Sequence, residues 1–213
     1  YWALRMGGMN SVDIRAQRER ASSALWPMAR RYGALLAHVP FVRMVGLTGA
    51  LAMHNARSND DDLDYLLVTT PGRVWLARAL VVVIVRLARL RGIHLCPNYV
   101  LAQTALAQDQ QNLYIAHEIT QMIPLAGFEI YESLRAANKW TEELLPNARG
   151  PFYAELDVRP HGVGRMVQKI GEWLLSGPPG DRLEAWEHRR KLRKFASAAQ
   201  TPHASALLDS DHV

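Results

Sequence analysis

The chain has 213 residues, of which 49% are hydrophobic and 21% are charged, so the composition is typical of a globular protein and excludes a disordered one. The formal net charge of +5 allows a polyanionic partner without requiring one. The single cysteine, Cys96, excludes an intrachain disulfide and a cysteine-rich zinc site, and we therefore expect a reducing, cytoplasmic location. Because residue 1 is Tyr, we expect a fragment or a processed product whose true ends are unknown.

The first predicted elements lead into an acidic segment. Residues 12–38 are rich in Ala, Arg and Leu and predict a helix in which Pro27 marks a break or a first turn. The apolar run over residues 41–47 predicts a strand. A helix-capable stretch over residues 51–56 and a polar turn over residues 58–61 follow.

The next predicted elements are a strand, a helix and a second strand. Residues 63–69 are rich in β-formers and predict the clearest strand of the chain. Residues 73–91 predict a helix that ends at Gly92. Arginines interrupt its apolar residues, and a membrane span needs roughly 20 apolar residues, so a buried or amphipathic helix is favoured over a span. Residues 93–101 predict a further strand, which Pro97 moves towards a sheet edge.

The pattern of the second half is helical. Residues 112–145 show helical periodicity and no convincing strand, and residues 146–162 predict a connection rich in proline and glycine. A helix is predicted over residues 163–175. After the break at residues 177–180, Asp181 can cap a last helix that runs to about residue 199.

These elements predict an α+β fold in two parts. Residues 1–105 would form a core with a small mixed β-sheet and helices packed on one side. Residues 106–213 would form a helical C-terminal lobe.

Two carboxylates flank Leu63 at the start of the clearest predicted strand. Since alternate side chains of a strand share a face, Asp62 and Asp64 point the same way while Leu63 points into the core. Two anionic groups held side by side repel each other unless a cation lies between them. Magnesium prefers such hard oxygen ligands and takes one or two protein carboxylates together with phosphate oxygens. The pair therefore predicts a Mg²⁺ site suited to phosphoryl chemistry.

A turn of small residues precedes the carboxylates. Gly49 and Ala50 lie at the start of a predicted helix, where a small residue lets the backbone approach a triphosphate and the helix N-terminus offers free N–H groups. Gly49 and Ala50, a spacer over residues 51–61, and the run from Asp62 to Tyr65 resemble the signature of the nucleotidyltransferase superfamily. That family includes DNA polymerase beta and the aminoglycoside nucleotidyltransferases. Residues 45–70 carry the resemblance, and Ala50 replaces the family's second glycine or serine.

The resemblance implies a Mg²⁺-dependent nucleotidyltransferase. Such an enzyme transfers a nucleoside monophosphate from a nucleoside triphosphate, here expected to be ATP, to a hydroxyl group of a small molecule or protein. Asp62 and Asp64 would hold the magnesium, and Thr48, Gly49 and Ala50 would hold the phosphates.

One arginine is a further candidate for phosphate binding. Arg73, at the start of the helix after the acidic strand, could face the triphosphate or lie on an exposed helix face.

The chain departs from this family at the third carboxylate. Active members carry it on a later strand, but the matching residues 93–99 contain no Asp or Glu. Asn98 could ligate magnesium through its carbonyl, and His94 could act as a base, or both could be ordinary polar residues at a strand end. Glu118, in the helical part, could instead supply the general base or lie on the surface. Cys96 is expected to be a small buried hydrophobe.

The same departure leaves a second function open, namely a catalytically inactive protein of this fold that serves as a nucleotide-sensing or interaction module. A third hypothesis, a nucleic-acid binder, rests on the basic cluster over residues 189–194. That cluster lacks interleaved stacking aromatics, so we expect no nucleic-acid partner. The acceptor, the preferred nucleotide and the oligomeric state stay open.

Overall fold

The computed structural model describes residues 5–6, 9–148, 158 and 160–198, and these form an α+β structure with a mixed four-stranded sheet and eight helices. The predicted α+β class and the small mixed sheet are therefore confirmed. In chain order the elements are β1 (Arg5–Met6), β2 (Met9–Asn10), α1 (Ser11–Ala37), β3 (Val42–Leu47), α2 (Gly49–Ala52), β4 (Leu63–Thr69), α3 (Val74–Arg89), β5 (Leu95–Ala102), α4 (Leu113–Thr120), β6 (Ile123–Ala126), α5 (Phe128–Ala137), α6 (Thr141–Leu144), α7 (Gly162–Leu175) and α8 (Pro178–Ala198).

The sheet has the strand order β5-β4-β3-β6. β3 is antiparallel to both of its neighbours, whereas β4 and β5 are parallel. Leu47 at the end of β3 pairs with Tyr65 near the start of β4, and Asp64 pairs with Cys96 near the start of β5. The end of β3 and the starts of β4, β5 and β6 thus lie together, and we name this the carboxylate end of the sheet. β5 lies at the sheet edge, as Pro97 predicted.

The fourth strand corrects the prediction that residues 112–145 are helical and contain no strand. Residues 123–126 form β6, are all buried, and pair with the end of β3. A short apolar run fits a buried strand or a buried helix equally well, and only the long-range pairing distinguishes them. Pro124 is tolerated because β6 lies at the edge of the sheet. The expected boundary between core and helical lobe, at residue 105, therefore lies between β5 and β6, two strands of the same sheet.

Helices cover both faces of the sheet, so the prediction of helices on one side is wrong. Alternate strand residues point to opposite faces. Val45, Tyr65 and Leu67 pack with α1 and α3 in one buried cluster. Leu66 and Val68 pack with α4 and α5 in the other.

α1 runs through Pro27 without a break, contrary to the prediction. The buried residues Leu25, Ala29, Tyr32 and Leu36 lie on both sides of the proline and pack against the same sheet. Tertiary packing thus supports both halves of the helix and outweighs the one backbone hydrogen bond that proline removes.

α3 is the predicted buried or amphipathic helix. It ends near Gly92, which has a φ of +72° as a C-terminal glycine requires. None of the described helices combines the length and apolar composition that a membrane crossing requires.

The C-terminal helices α7 and α8 form a hairpin whose second helix packs on α3. Asp181 does not act as the predicted cap, because α8 already begins at Pro178, and prolines suit a first helical turn. Glu184 of α8 accepts hydrogen bonds from the backbone N–H groups of Trp75 (3.0 Å) and Leu76 (2.6 Å), and so caps α3 from another helix. Most of the predicted connection over residues 146–162 lies outside the described residues.

Candidate functional site

The turn after β3 lies directly against Asp64. The backbone N–H of Thr48 donates to the carbonyl oxygen of Asp64 at 2.9 Å. Gly49 has a φ of +67°, and a Cβ atom at this position would lie 2.1 Å from Asp64 Oδ2. Only glycine combines this backbone conformation with so close an approach. The turn and the carboxylate therefore form one packed unit.

The side chain of Asp64 is partly buried, and it accepts a hydrogen bond from the amide of Asn98. Asn98 Nδ2, on β5, donates to Asp64 Oδ1 at 2.9 Å. Burial raises the pKa of Asp64, the Asn98 hydrogen bond lowers it, and the negative charges of Asp62 and Asp61 raise it further, with a net upward shift. The folded protein thus holds a carboxylate where negative charge is disfavoured.

The remaining acidic residues of this segment have different surroundings. Asp62 precedes β4, and its side chain is 55% exposed, with Oδ1 at 3.7 Å from His94 Nδ1. Asp61 instead closes the preceding turn, since its Oδ2 accepts from the Arg57 N–H at 2.8 Å. Of the acidic run, Asp62 and Asp64 are thus the two that lie at the carboxylate end of the sheet.

Cys96 is half-buried beside these carboxylates and not a fully buried hydrophobe as expected. Burial and the neighbouring charges of Asp62 and Asp64 raise the pKa of its thiol to about 11. A thiol with such a pKa is protonated at neutral pH, which disfavours Cys96 as a nucleophile.

Glu118 reaches the same place from α4. Burial raises the pKa of its carboxyl group, the nearby Thr48 hydroxyl lowers it, and the charge of Asp64 raises it, with a net upward shift. Glu118 Oε2 and Thr48 Oγ1 are both buried, and within the described part of the chain no hydrogen bond of ordinary geometry reaches either atom. Buried polar atoms of proteins are nearly always hydrogen-bonded to protein, water or ligand. The two atoms therefore mark a polar site next to Asp64.

Two tyrosines at this site were missed by the sequence reasoning. The charge of Glu118 contributes to raising the pKa of Tyr99 and of Tyr114, after burial as the main cause. Tyr114 is 61% exposed. The signal for Tyr114 was available, because Tyr114 precedes Glu118 by four residues and the two side chains therefore share one helix face. Adjacent residues of a regular strand face opposite sides, so the place of Tyr99 beside Asn98 depends on the register shift between β4 and β5, which the sequence does not show. The tyrosines add an aromatic rim to the carboxylates.

Arg73 is not part of this site, and its expected contact with a triphosphate has no support in the geometry. It follows the far end of β4, and the strand from Asp64 to Thr69 alone spans roughly 16 Å at the rise of an extended strand. Its guanidinium donates to Asp181 Oδ1 at 2.6 Å and to the Ser176 carbonyl at 3.0 Å. These bonds hold Arg73 to the α7–α8 hairpin, so it stabilises the packing of that hairpin.

The carboxylate end carries uncompensated negative charge. Across the described residues, no Arg or Lys forms an ion pair with Asp62, Asp64 or Glu118. In that same part of the chain, no three His, Cys, Asp and Glu side chains form a group that could by itself hold a metal ion. Magnesium bound with a phosphate ligand needs only one or two protein carboxylates. Two carboxylates and one amide therefore provide ligands of the chemical type that magnesium takes.

A separate cavity of about 340 Å³ is lined by Arg43, His161, Arg165 and Gln168, among others, and by none of these carboxylates. Comparison of the chain with protein-family models, with curated proteins and with solved structures gave no match. The site must therefore be interpreted from its own residues, and the resemblance to nucleotidyltransferases stays a prediction.

Proposed function

We propose that this protein is a Mg²⁺-dependent nucleotidyltransferase that transfers a nucleoside monophosphate from a nucleoside triphosphate, with ATP the first candidate, to a hydroxyl group of a small molecule or protein. The observation that carries the proposal is the packing of the Gly49 backbone against Asp64. This contact sets a turn of small residues beside a carboxylate, which is the arrangement needed to bring a triphosphate and its metal ion together.

The donor set suits magnesium in kind. Asp62 and Asp64 would hold the ion, and Asn98 would join them through its carbonyl oxygen after rotation of its amide. When bound, magnesium would neutralise charge on the reacting phosphate. It would also relieve the repulsion that raises the pKa of Asp64.

The backbone of the turn and the side chain of Glu118 then have separate roles. The backbone at Thr48, Gly49 and Ala50 binds the phosphates, for which the absence of a large side chain is required. Glu118, beside Asp64 and Thr48, accepts the proton of the acceptor hydroxyl. It thus supplies the carboxylate that β5 lacks.

A second function is favoured by one specific observation. Asn98 stands where a third carboxylate would be expected, and its amide donates to Asp64 Oδ1, an atom that a metal ion would otherwise contact. This bond suits a catalytically inactive protein of the same fold that senses a nucleotide or binds a partner.

The test is calorimetric titration with ATP, GTP, CTP and UTP, with and without Mg²⁺, on the wild type and on Asp62→Asn with Asp64→Asn. The matched control is Glu132→Gln with Glu143→Gln, which removes the same charge from exposed positions elsewhere. We expect metal-dependent binding by the wild type and the control, and its loss in the double Asn variant. Failure of the folded wild type to bind any of the four would sink the triphosphate site.

Release of pyrophosphate in a screen of hydroxyl acceptors separates the two functions. The enzyme predicts release by the wild type, and normal triphosphate binding without release by Glu118→Gln. The sensing module predicts binding without release in both.

A further inference from the structure

Helix α7 packs on the protein with its polar face. Gln168 Nε2 donates to the carbonyl oxygens of Ala37 (3.1 Å), Val39 (3.2 Å) and Val42 (3.3 Å), which lie between the end of α1 and the start of β3. Glu172 Oε1, one turn later, accepts from the Phe41 N–H at 2.9 Å. The residues that usually face solvent on an amphipathic helix are here turned inwards.

Two glycines of α7 lie on the same inward face. A Cβ atom on Gly164 would lie 2.2 Å from His38 Nε2, and one on Gly171 would lie 2.7 Å from Pro40 Cγ. A side chain at either position would push the helix away from the end of α1. The spacing of glycines and polar residues therefore fixes which face of α7 looks out.

The outward face of α7 is apolar. At 100° per residue its members span a stripe of about 120°, the width of an ordinary contact face. Their exposure runs from 48% to 78%, and none of the residues of α7 is buried. Large contiguous apolar patches are uncommon on soluble monomers and mark interaction surfaces. The members are Val163, Met166, Val167, Ile170, Trp173 and Leu174.

Helix α8 of the same hairpin carries basic side chains on its own exposed face. Arg182, Trp186, Arg189 and Arg193 recur at helical spacing and are exposed, with Trp186 53% exposed. The Arg190 guanidinium lies 5.7 Å from the centre of the Trp186 ring.

The acidic residues of the same hairpin are bound within the protein. Glu172 pairs with Arg43 at 2.5 Å, Asp181 with Arg73, and Glu187 with Arg190, while Glu184 caps α3. Arginine charge on the exposed face of α8 is therefore left in excess.

We propose that the α7–α8 hairpin docks on an anionic phospholipid surface. The apolar stripe of α7 enters the interface between head groups and acyl chains, with Trp173 at the depth that tryptophan favours. Lys169 lies next to the stripe on the helix surface, and its long stem lets the charged group reach the lipid phosphates. The arginines of α8 add electrostatic attraction to anionic lipid.

The basic charge of the hairpin favours anionic lipid over a second copy of the chain as the partner of this face. A two-fold symmetric contact between two α7–α8 hairpins would bring the excess basic charge of both copies together, and like charges oppose one another. Anionic head groups neutralise the same charges. The site of the proposed function does not contribute to this surface, so the two proposals stand separately.

The test is co-sedimentation of the whole chain with vesicles of phosphatidylcholine alone, or of equal parts phosphatidylcholine and phosphatidylglycerol. We expect binding only to the mixed vesicles, weakened by salt. Ile170→Ser with Trp173→Ser should reduce affinity roughly tenfold or more, because apolar area is lost from the contact. Arg182→Gln with Arg189→Gln should reduce it severalfold. The matched control, Val83→Ser with Leu90→Ser, changes exposed apolar residues of α3 and should bind like the wild type.

Thermal unfolding of each variant checks that folding is intact, as we expect for substitutions at exposed positions. Quenching of fluorescence by brominated lipid, lost in Trp173→Phe while sedimentation persists, would place this residue in the lipid. Equal binding by the α7 variant and the wild type overturns the proposal, as does equal binding to neutral vesicles. A wild-type dimer that the α7 variant converts to a monomer, measured by light scattering, also overturns it and assigns the face to a second copy.

Discussion

Carboxylates at the two ends of the β-sheet have opposite surroundings. At the carboxylate end, Asp64 and Glu118 are partly buried close to each other, and no Arg or Lys pairs with them among the described residues. At the opposite end, Glu172 pairs with Arg43, and Asp181 pairs with Arg73. Buried charges are ordinarily paired, so the second end is the expected arrangement for stability and the first is the exception.

This contrast separates structural acids from candidate functional ones. The pKa of Glu172 is held below its ordinary value, whereas the pKa values of Asp64 and Glu118 are raised. Functional sites commonly retain such unfavourable features because a ligand needs them. Three substitutions can break or sharpen the comparison.

The largest effect is expected from Gly49→Ala. The new Cβ would collide with Asp64 at a backbone φ of +67°, so we expect a loss of roughly 2–4 kcal/mol in the free energy of unfolding. Magnesium-dependent triphosphate binding should be lost as well. Urea unfolding and calorimetry measure the two effects.

Gly72→Ala is the matched control for this change. Gly72 has a φ of +70°, but nothing lies within 4 Å of a Cβ placed there. Backbone strain alone should cost about 1 kcal/mol and leave binding intact. Equal losses in the two variants would mean that the contact with Asp64 has no special importance.

The second-largest effect is expected for Glu172, at the end of the sheet where the carboxylates are paired with arginines. Partial burial pushes the pKa of Glu172 up, but the hydrogen bonds from Arg43 and the Phe41 N–H outweigh it and hold this pKa down. A lowered pKa means that the charged form stabilises the fold above the ordinary glutamate pKa, and that this stability disappears as the pH falls through the lowered value.

Glu172→Gln should therefore reduce stability at pH 7 by at most about 1 kcal/mol after solvent screening, and the difference from the wild type should vanish at acidic pH. Urea unfolding at several pH values measures it. Glu19→Gln is the control, because its pair with Arg15 is more than half exposed and should contribute almost nothing. A pH-independent loss would show that charge is not the cause.

The smallest effect should have the opposite sign. The raised pKa of Asp64 means that its charged form disfavours folding at neutral pH. With a chelator present, Asp64→Asn should stabilise the protein by less than about 1 kcal/mol, and this gain should disappear at acidic pH. The same variant should bind triphosphate more weakly. Clear destabilisation in chelator would make Asp64 a structural residue.

Local patterns predicted much of the fold. The bounds of β4 match the prediction residue for residue, because its β-formers are bounded by an acidic turn and by Pro71. β6 could not be predicted in the same way. Its four apolar residues become a strand only by pairing with Val45 and Leu47, far away in the chain.

The candidate site was predicted in part for the same reason. Spacing along the chain brought Gly49 and Asp64 together, since a strand, a turn and a strand fix that geometry locally. Glu118 was named as one option, but its neighbourhood with Asp64 depends on how α4 precedes β6 at the sheet edge. The misplaced Arg73 shows the limit of proximity in sequence, because the length of β4 separates it from the carboxylates.

The capping of α3 by Glu184 has a consequence for the order of events during synthesis. Trp75 receives its hydrogen-bond acceptor from a residue 109 positions later. While the ribosome is still making the chain, the sheet strands and α3 exist before the residue that completes the first turn of α3. The nascent N-terminal part therefore cannot reach its final stability by itself. Folding is complete only when α8 has left the ribosome and packed on α3.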